Sequence, residues 1–287
     1  MKSAKARLLT MLLLAIVTAC TPDSPFSARS TVPVYRMGIV LPHEGAHRAM
    51  ALDAFFASRA ALLEALRSNT MDGYRVEIIA YDDFGDPAHA ANHATALTTD
   101  SDVLIAIGHW LPETTAAALP VYQEAGLPLI TTVGQTIADR QTIGDETAGV
   151  AALDAPPTTY QDVLTGYQAT STLPDDWQLT NAAYLADLEE GAVLRELILN
   201  SDPSASEPGP YAALAYDATH LALAAIAQAA QQGPLTRASV AQALAQIDYE
   251  GVTGPITFAE DGFRIDAPLY LYDLQNKDAP QLLAQLP

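Results

Sequence analysis

The 287-residue sequence contains a single cysteine, Cys20. That excludes an internal disulfide, so the fold must be held by packing. Basic side chains are scarce as well: 14 Lys and Arg stand against 34 Asp and Glu, a formal charge of −20. Such a balance argues against nucleic acid or an anionic lipid surface as a partner. It does not by itself argue for a cationic ligand, because an acidic surface also aids solubility. Long hydrophobic runs are missing. The N-terminal apolar stretch, Leu8 to Val17, is interrupted by Thr10 and is about half the roughly 20 residues a spanning helix needs. No glycine-rich phosphate loop, Gly-x-Ser-x-Gly elbow, paired-cysteine motif or fixed-period repeat occurs. These absences agree with a protein that binds rather than catalyses.

What is present begins with an address. Lys2, Lys5 and Arg7 precede the apolar run, and Val17-Thr18-Ala19-Cys20 follows it. This is the layout of a secretory signal peptide. The last four residues resemble a bacterial lipobox, which implies lipid on Cys20 and removal of residues 1–19; the simpler alternative is an ordinary signal with an incidental cysteine. Cleavage there leaves 268 residues and a charge of about −23. Residues 20–31, rich in Ser, Pro and Thr, read as a flexible tether.

Strands and helices then alternate. Val34 to Leu41 reads as a strand and Ala46 to Leu66 as a helix. Tyr74 to Tyr81 is a second strand, and Asp86-Pro87 opens a helix with the acid as cap and proline in the first turn. Val103 to Ile107 is continuously apolar, as expected for the middle of a parallel sheet. A helix from about Glu113 to Glu124 and a strand from Leu127 to Thr132 follow. The middle predicts strands at Ala148–Leu153 and Ala182–Leu188, with helices at Tyr160–Ala169 and Glu190–Leu199. Long helices are predicted at Tyr211–Ala230 and from a cap near Thr236 to Ile247. Residues 251–274 read as antiparallel strands around a turn at Glu260-Asp261-Gly262. The pattern predicts an α/β fold built on a doubly wound parallel sheet.

Two segments resemble the branched-chain amino-acid-binding family that serves ABC importers. The first is VEIIAYDDFGDPAHAANHATAL followed by VLIAIGHWLPETTAAALPVYQEAGLPLITTVG. It carries an acidic pair, an Asp-Pro helix start, Ile-Gly-His after a strand, and Tyr-x-x-x-Gly-hydrophobic-Pro. The second is YAALAYDATHLALAAIAQAA with LAQIDYEGVTGPITFAEDGFRIDAPLYLYDL. It carries Tyr-Asp-Ala on a long helix and a later Gly-x-x-Gly. The resemblance implies a periplasmic-binding-protein-like type I fold of two lobes. Lobe 1 would be residues 32–140, lobe 2 residues 141–210, and residues 211–287 the C-terminal helices and crossover strands. Only 70 residues separate Arg140 from Tyr211, so the second lobe is expected to be reduced.

In open parallel sheets, ligands bind beyond the carboxyl ends of the strands. The resemblance implies that hydroxyls and backbone N–H groups of the third and fourth such loops hold a ligand carboxylate. The matching positions are Pro112, Glu113, Thr114 and Thr115, then Thr131, Thr132, Gly134, Gln135 and Thr136. Glu113 would repel a carboxylate, and Thr114 and Thr115 serve equally well as helix caps. Trp110 either floors an apolar pocket or packs under the loop. An ammonium group would look to Asp187 or Glu189 in the second lobe, which are also plausible solvated residues at a helix start. Asp82, Asp83 and Asp86 are expected to order the second loop.

His43-Glu44-Gly45-Ala46-His47 spells HExxH, a zinc-protease pattern. It follows a strand directly and contains glycine, so the preferred reading is a loop, with His43, rimming the cleft. The pair His89 and His93, four apart on a helix, is read as solvated. The expected function is an extracytoplasmic lipoprotein, not an enzyme, without a cofactor or resident metal. It would be a monomer that captures an amino acid or similar small polar solute and docks on an ABC permease. The alternatives are a degenerate sensor or envelope-interaction protein of the same fold and, remotely, a zinc metallohydrolase.

Overall fold

The computed structural model describes residues 32–68, 71–131, 150–152, 177–180, 183–259, 262–265, 267–276 and 280–286. Its centre is a five-stranded parallel sheet. β1 (Val34–Leu41), β2 (Arg75–Asp82), β3 (Val103–Ile107), β4 (Leu129–Thr131) and β5 (Val150–Ala152) lie in the order β2-β1-β3-β4-β5. Every residue of β3 is buried, as its unbroken apolar run requires of a strand covered on both faces.

Side chains alternate between two cores. Met37, Ile39 and Leu41 of β1, with Ile105 and Ile107 of β3, face one core. It is closed by α1 (Arg48–Arg67) and the alanine-rich helix α5 (Tyr211–Gln232), which pack on each other. Val40, Val103 and Ala106 face the other, closed by α2 (Pro87–Thr99) and α3 (Pro112–Glu124). Helices on both faces make the sheet doubly wound. Gly38 lets α2 lie close: a Cβ there would meet the Leu97 side chain at 2.6 Å.

Local signals set the helix ends. The Asp86 carboxylate accepts from the N–H groups of Ala88 and His89 at 2.8 and 3.0 Å, with Pro87 in the first turn. Thr236 caps α6 (Arg237–Ala245) in a reciprocal box with Ser239. From α6, Arg237 donates to the carbonyls of Val103 at 2.9 Å and Asp100 at 2.7 Å, seating the helix at the amino end of β3.

The middle departs from expectation. Residues 182–188 were expected to be a strand, but Leu185–Asp187 form a 3-10 turn. The amides of Asp187, Leu188 and Gly191 bond carbonyls three residues back, at 2.9, 3.2 and 3.1 Å, and so are not available to a sheet. The extended segment is instead β6 (Trp177–Thr180). α4 (Gly191–Leu199) follows the turn. The helix expected at 160–169 lies outside the described residues, as do Cys20 and the tether.

Toward the C-terminus, β7 (Tyr249–Gly251) and β8 (Gly254–Ile256) form a hairpin. Phe258 then bridges Arg264, and Ala259 exchanges backbone bonds with Gly262 and Phe263 across the predicted turn. Glu260 and Asp261 lie outside the described residues. β9 (Leu269–Asp273) is the centre of a small antiparallel sheet, flanked by β6 and β10 (Gln281–Leu286). No helix among the described residues is long and apolar enough to cross a membrane.

Candidate ligand-binding site

The carboxyl ends of β1, β2 and β3 meet over a buried polar network. His109, just beyond β3, and Asp83, just beyond β2, are both fully buried, with His109 Nδ1 2.8 Å from Asp83 Oδ2. His109 Nε2 lies 3.1 Å from the Tyr122 hydroxyl on α3. With Nδ1–H donating to the carboxylate, Nε2 accepts the tyrosine proton. Burial, then the Asp83 charge, pushes the Tyr122 phenol well above its ordinary pKa. Gly108 makes the turn possible, with φ of +125° and a hypothetical Cβ 2.5 Å from the Val40 carbonyl oxygen. Asp82 ties the first loop to the second by accepting from the N–H groups of His43 and Phe84 at 2.9 and 2.8 Å.

Around this network the expected site residues divide. Thr114 and Thr115 are buried at the start of α3. The Thr114 hydroxyl donates to the Leu111 carbonyl at 3.0 Å, and that of Thr115 to Leu111 and His109 at 2.9 and 3.1 Å. Both protons are thus committed to the backbone. Glu113 is exposed on the first turn. Trp110 is 2% exposed and meets Tyr211 edge to face at 6.4 Å; its buried Nε1 has no hydrogen-bond partner among the described residues. His43 is half-buried against Phe55, and burial lowers its pKa. Thr132, Gly134, Gln135 and Thr136 lie outside the described residues.

His43 and His47 do not share an α-helix. Residues Gly45–His47 form a 3-10 turn and α1 begins only at Arg48, so the one-turn helical spacing of a zinc protease is not formed. Among the described residues no group of three or more His, Cys, Asp or Glu is arranged to hold a metal.

Asp187 belongs to a separate cleft of about 510 Å³. Glu64 of α1, Tyr216 and His220 of α5, Tyr249 and Glu250 of the β7–β8 hairpin, and Tyr270 of β9 also line it. His43, Trp110, Glu113, Thr114 and Thr115 do not. The Tyr272 hydroxyl donates to Asp187 at 2.9 Å, Tyr216 donates to Glu64, and His220 Nε2 lies 3.3 Å from Glu64. Sequence reasoning found Asp187 and Glu189 of this cleft and missed Glu64, Tyr216, His220, Tyr249, Glu250 and Tyr270, which four separate elements bring together.

A family profile described as periplasmic binding protein matches residues 34–184 and 147–279. The chain belongs to the periplasmic binding protein family. Solved structures agree in fold. A branched-chain amino acid transporter substrate-binding protein of Streptococcus pneumoniae, in complex with isoleucine, matches with a TM-score of 0.63 at 18% identity, over 88% of this chain and 100% of that one. A solute-binding protein of R. palustris, in complex with benzoate, gives 0.68 at 12% identity over 88% and 96%. A leucine-binding protein of Thermotoga maritima gives 0.64 at 16% over 88% and 98%. At such identities the likeness shows the type I fold. No curated protein sequence matches the chain.

In this periplasmic binding protein the motifs behind the resemblance acquire physical roles. The acidic pair, Gly-His and the tyrosine before Gly-hydrophobic-Pro supply Asp83, His109 and Tyr122, the three members of one network. Tyr-Asp-Ala and Gly-x-x-Gly form a second one. Asp217 on α5 is buried and accepts from the N–H groups of Val252 and Thr253, both at 2.9 Å, and from the Thr253 hydroxyl. Burial pushes its pKa up, opposed by these bonds and by the nearby Arg264. Arg264 donates to the Thr253 carbonyl at 2.8 Å and hydroxyl at 3.0 Å, bracing the hairpin that Asp217 ties to α5.

Proposed function

We propose that this periplasmic binding protein is an extracytoplasmic solute receptor. It would capture an amino acid or similar small polar molecule and deliver it to an ABC permease, acting as a monomer without catalytic chemistry. The observation that carries this reading is the family match over 34–279, together with a fold shared with structures that hold isoleucine and benzoate. Lipid on Cys20 would tether the domain to the membrane through residues 20–31. The second lobe, residues 141–210, would be short.

In the strand-end loops, the start of α3 offers first-turn N–H groups to an anion. The Thr114 and Thr115 hydroxyls, whose protons are already donated to the backbone, would hold that turn in place. Thr132, Gly134, Gln135 and Thr136 would supply the remaining donors. Trp110 would floor the site, and His43 and Glu113 would rim it.

Thermal-shift measurement against aliphatic and polar amino acids and aromatic carboxylates tests this. A solute at one hundred times its dissociation constant adds about 2.7 kcal/mol of stability. The expected result is a rise with one ligand class that Thr114→Ala and Thr136→Ala abolish. Silence across the panel from a cooperatively folded chain would transfer the reading to a sensor or envelope-interaction role.

A further inference from the structure

We propose that the cleft at Asp187, separate from the strand-end loops, takes an organic cation with an apolar arm, an alkyl- or arylamine; this rests on the reading of the chain as a solute-binding protein and adds a second ligand class to it. Five carboxylates line the cleft: Glu64, Asp187, Glu189, Glu190 and Glu250. No Lys or Arg lines it among the described residues. Two of the acids are held in place by hydroxyl donors, Glu64 by Tyr216 and Asp187 by Tyr272, so their carboxylates are oriented before a ligand arrives. Orientation in advance lowers the ordering cost of binding.

The neutral lining strengthens the choice of charge. Tyr216, Tyr249 and Tyr270 bring aromatic rings to the cleft, and ring faces attract ammonium groups. Burial and the surrounding acids hold the Tyr249 phenol up at about 12, so it stays a neutral ring. Burial lowers the pKa of His220, which leaves the imidazole uncharged near neutral pH and removes a competing cation. A zwitterionic amino acid placed here would set its own carboxylate among fixed acids.

The apolar arm follows from a second cavity. A groove of about 310 Å³ borders the cleft, sharing Glu64, His220 and Tyr249 with it, and is otherwise lined by residues that include Met71, Leu223, Ala224 and Ala227. An ammonium among the acids would point its hydrocarbon across the shared wall into this groove. The cleft volume of about 510 Å³ lies within the range of small-molecule sites.

Calorimetric titration of the purified full chain at about physiological salt tests the assignment. The probes are methylamine, butylamine, hexylamine and phenethylamine, each against the carboxylate of matched length. The amines should bind and the carboxylates should not, with affinity rising about fourfold per methylene until the groove is filled. Glu190→Gln, at an exposed position, should weaken hexylamine severalfold, and Glu64→Gln with Asp187→Asn at least tenfold. Met71→Ser should flatten the chain-length dependence while sparing methylamine. Glu124→Gln, which removes the same charge far from the cleft, should leave binding unchanged. Equal binding of amines and carboxylates would overturn the proposal, as would a Glu124→Gln loss matching that of Glu190→Gln. A chain that binds an amino acid through Thr114 and Thr136 yet ignores amines would overturn the cation assignment alone. One that binds no solute at all would overturn the solute-binding reading with it.

Discussion

Substituting Gly251 by alanine introduces a methyl carbon 2.6 Å from Asp217 Oδ2, 2.7 Å from Cγ and 2.8 Å from Oδ1. Atoms at such distances cannot coexist, and neither partner is the free end of a flexible chain. Gly251 closes β7, and the Asp217 side chain is fully buried. Relief requires the carboxylate to retreat from the Val252 and Thr253 amides and the Thr253 hydroxyl. A hydrogen bond to a charged group contributes about 1.5–3 kcal/mol; the loss or lengthening of two of the three costs about 3–5 kcal/mol. For a protein of this size each kcal/mol moves the midpoint by about 2–4 °C, so Gly251→Ala should melt about 6–20 °C below the parent. Circular dichroism and calorimetry on the two proteins side by side provide the assay. Asp217→Ala should fall in the same range, because it removes the same acceptor and leaves Arg264, 3% exposed, without its nearby anion. A Gly251→Ala midpoint within 2 °C of the parent would refute the lock as a determinant of stability.

Other consequences follow from the remaining networks. Asp83→Asn should cost about 2–4 kcal/mol in urea unfolding, because it replaces the buried acceptor of His109 with a weaker, uncharged one. Burial raises the Asp53 pKa from 3.8 to about 6, against a hydrogen bond from the Gly209 amide. Between about pH 4 and 6 the native state therefore holds a proton that the unfolded chain has released. The associated stability is complete below about pH 4 and is lost as pH rises through about 6. Allowing for its partial exposure, the change is about 1–2 kcal/mol, and Asp53→Asn should flatten the stability curve across that window. Finally, Cys20→Ser should abolish incorporation of labelled fatty acid in cells; undiminished labelling would remove the proposed anchor.

Much of the sheet was legible because its signals are local. The unbroken Val103–Ile107 run, the Asp86-Pro87 start and the Thr236 cap each need only neighbouring residues, and each recurs in the structure with the expected role. The segment at 182–188 was misread because a short run of alternating small, aromatic and aliphatic residues satisfies a strand and a 3-10 turn equally. Only the local amide bonds at Asp187 and Leu188 decide between them.

The site was less legible, for a physical reason. A capping acid declares itself by spacing, but a cleft wall is assembled by tertiary packing. Glu64 and His220 stand 156 positions apart and meet because α1 and α5 pack together. The acidic pair shows the same limit in miniature: Asp82 and Asp83 both brace loops as expected, yet only Asp83 also anchors a buried histidine. Thr114 and Thr115 were open to either role, and the hydroxyl protons proved to be donated to Leu111 and His109.

The central claim is that this periplasmic binding protein holds a small solute, and calorimetric titration of the purified chain tests it most directly. The account predicts saturable binding, one solute per chain, for at least one of an amino acid, a small carboxylate or an amine. Substitution in the loops after β3 and β4, or in the cleft at Asp187, should weaken it. A chain that melts cooperatively and yet binds none of the three classes would contradict it.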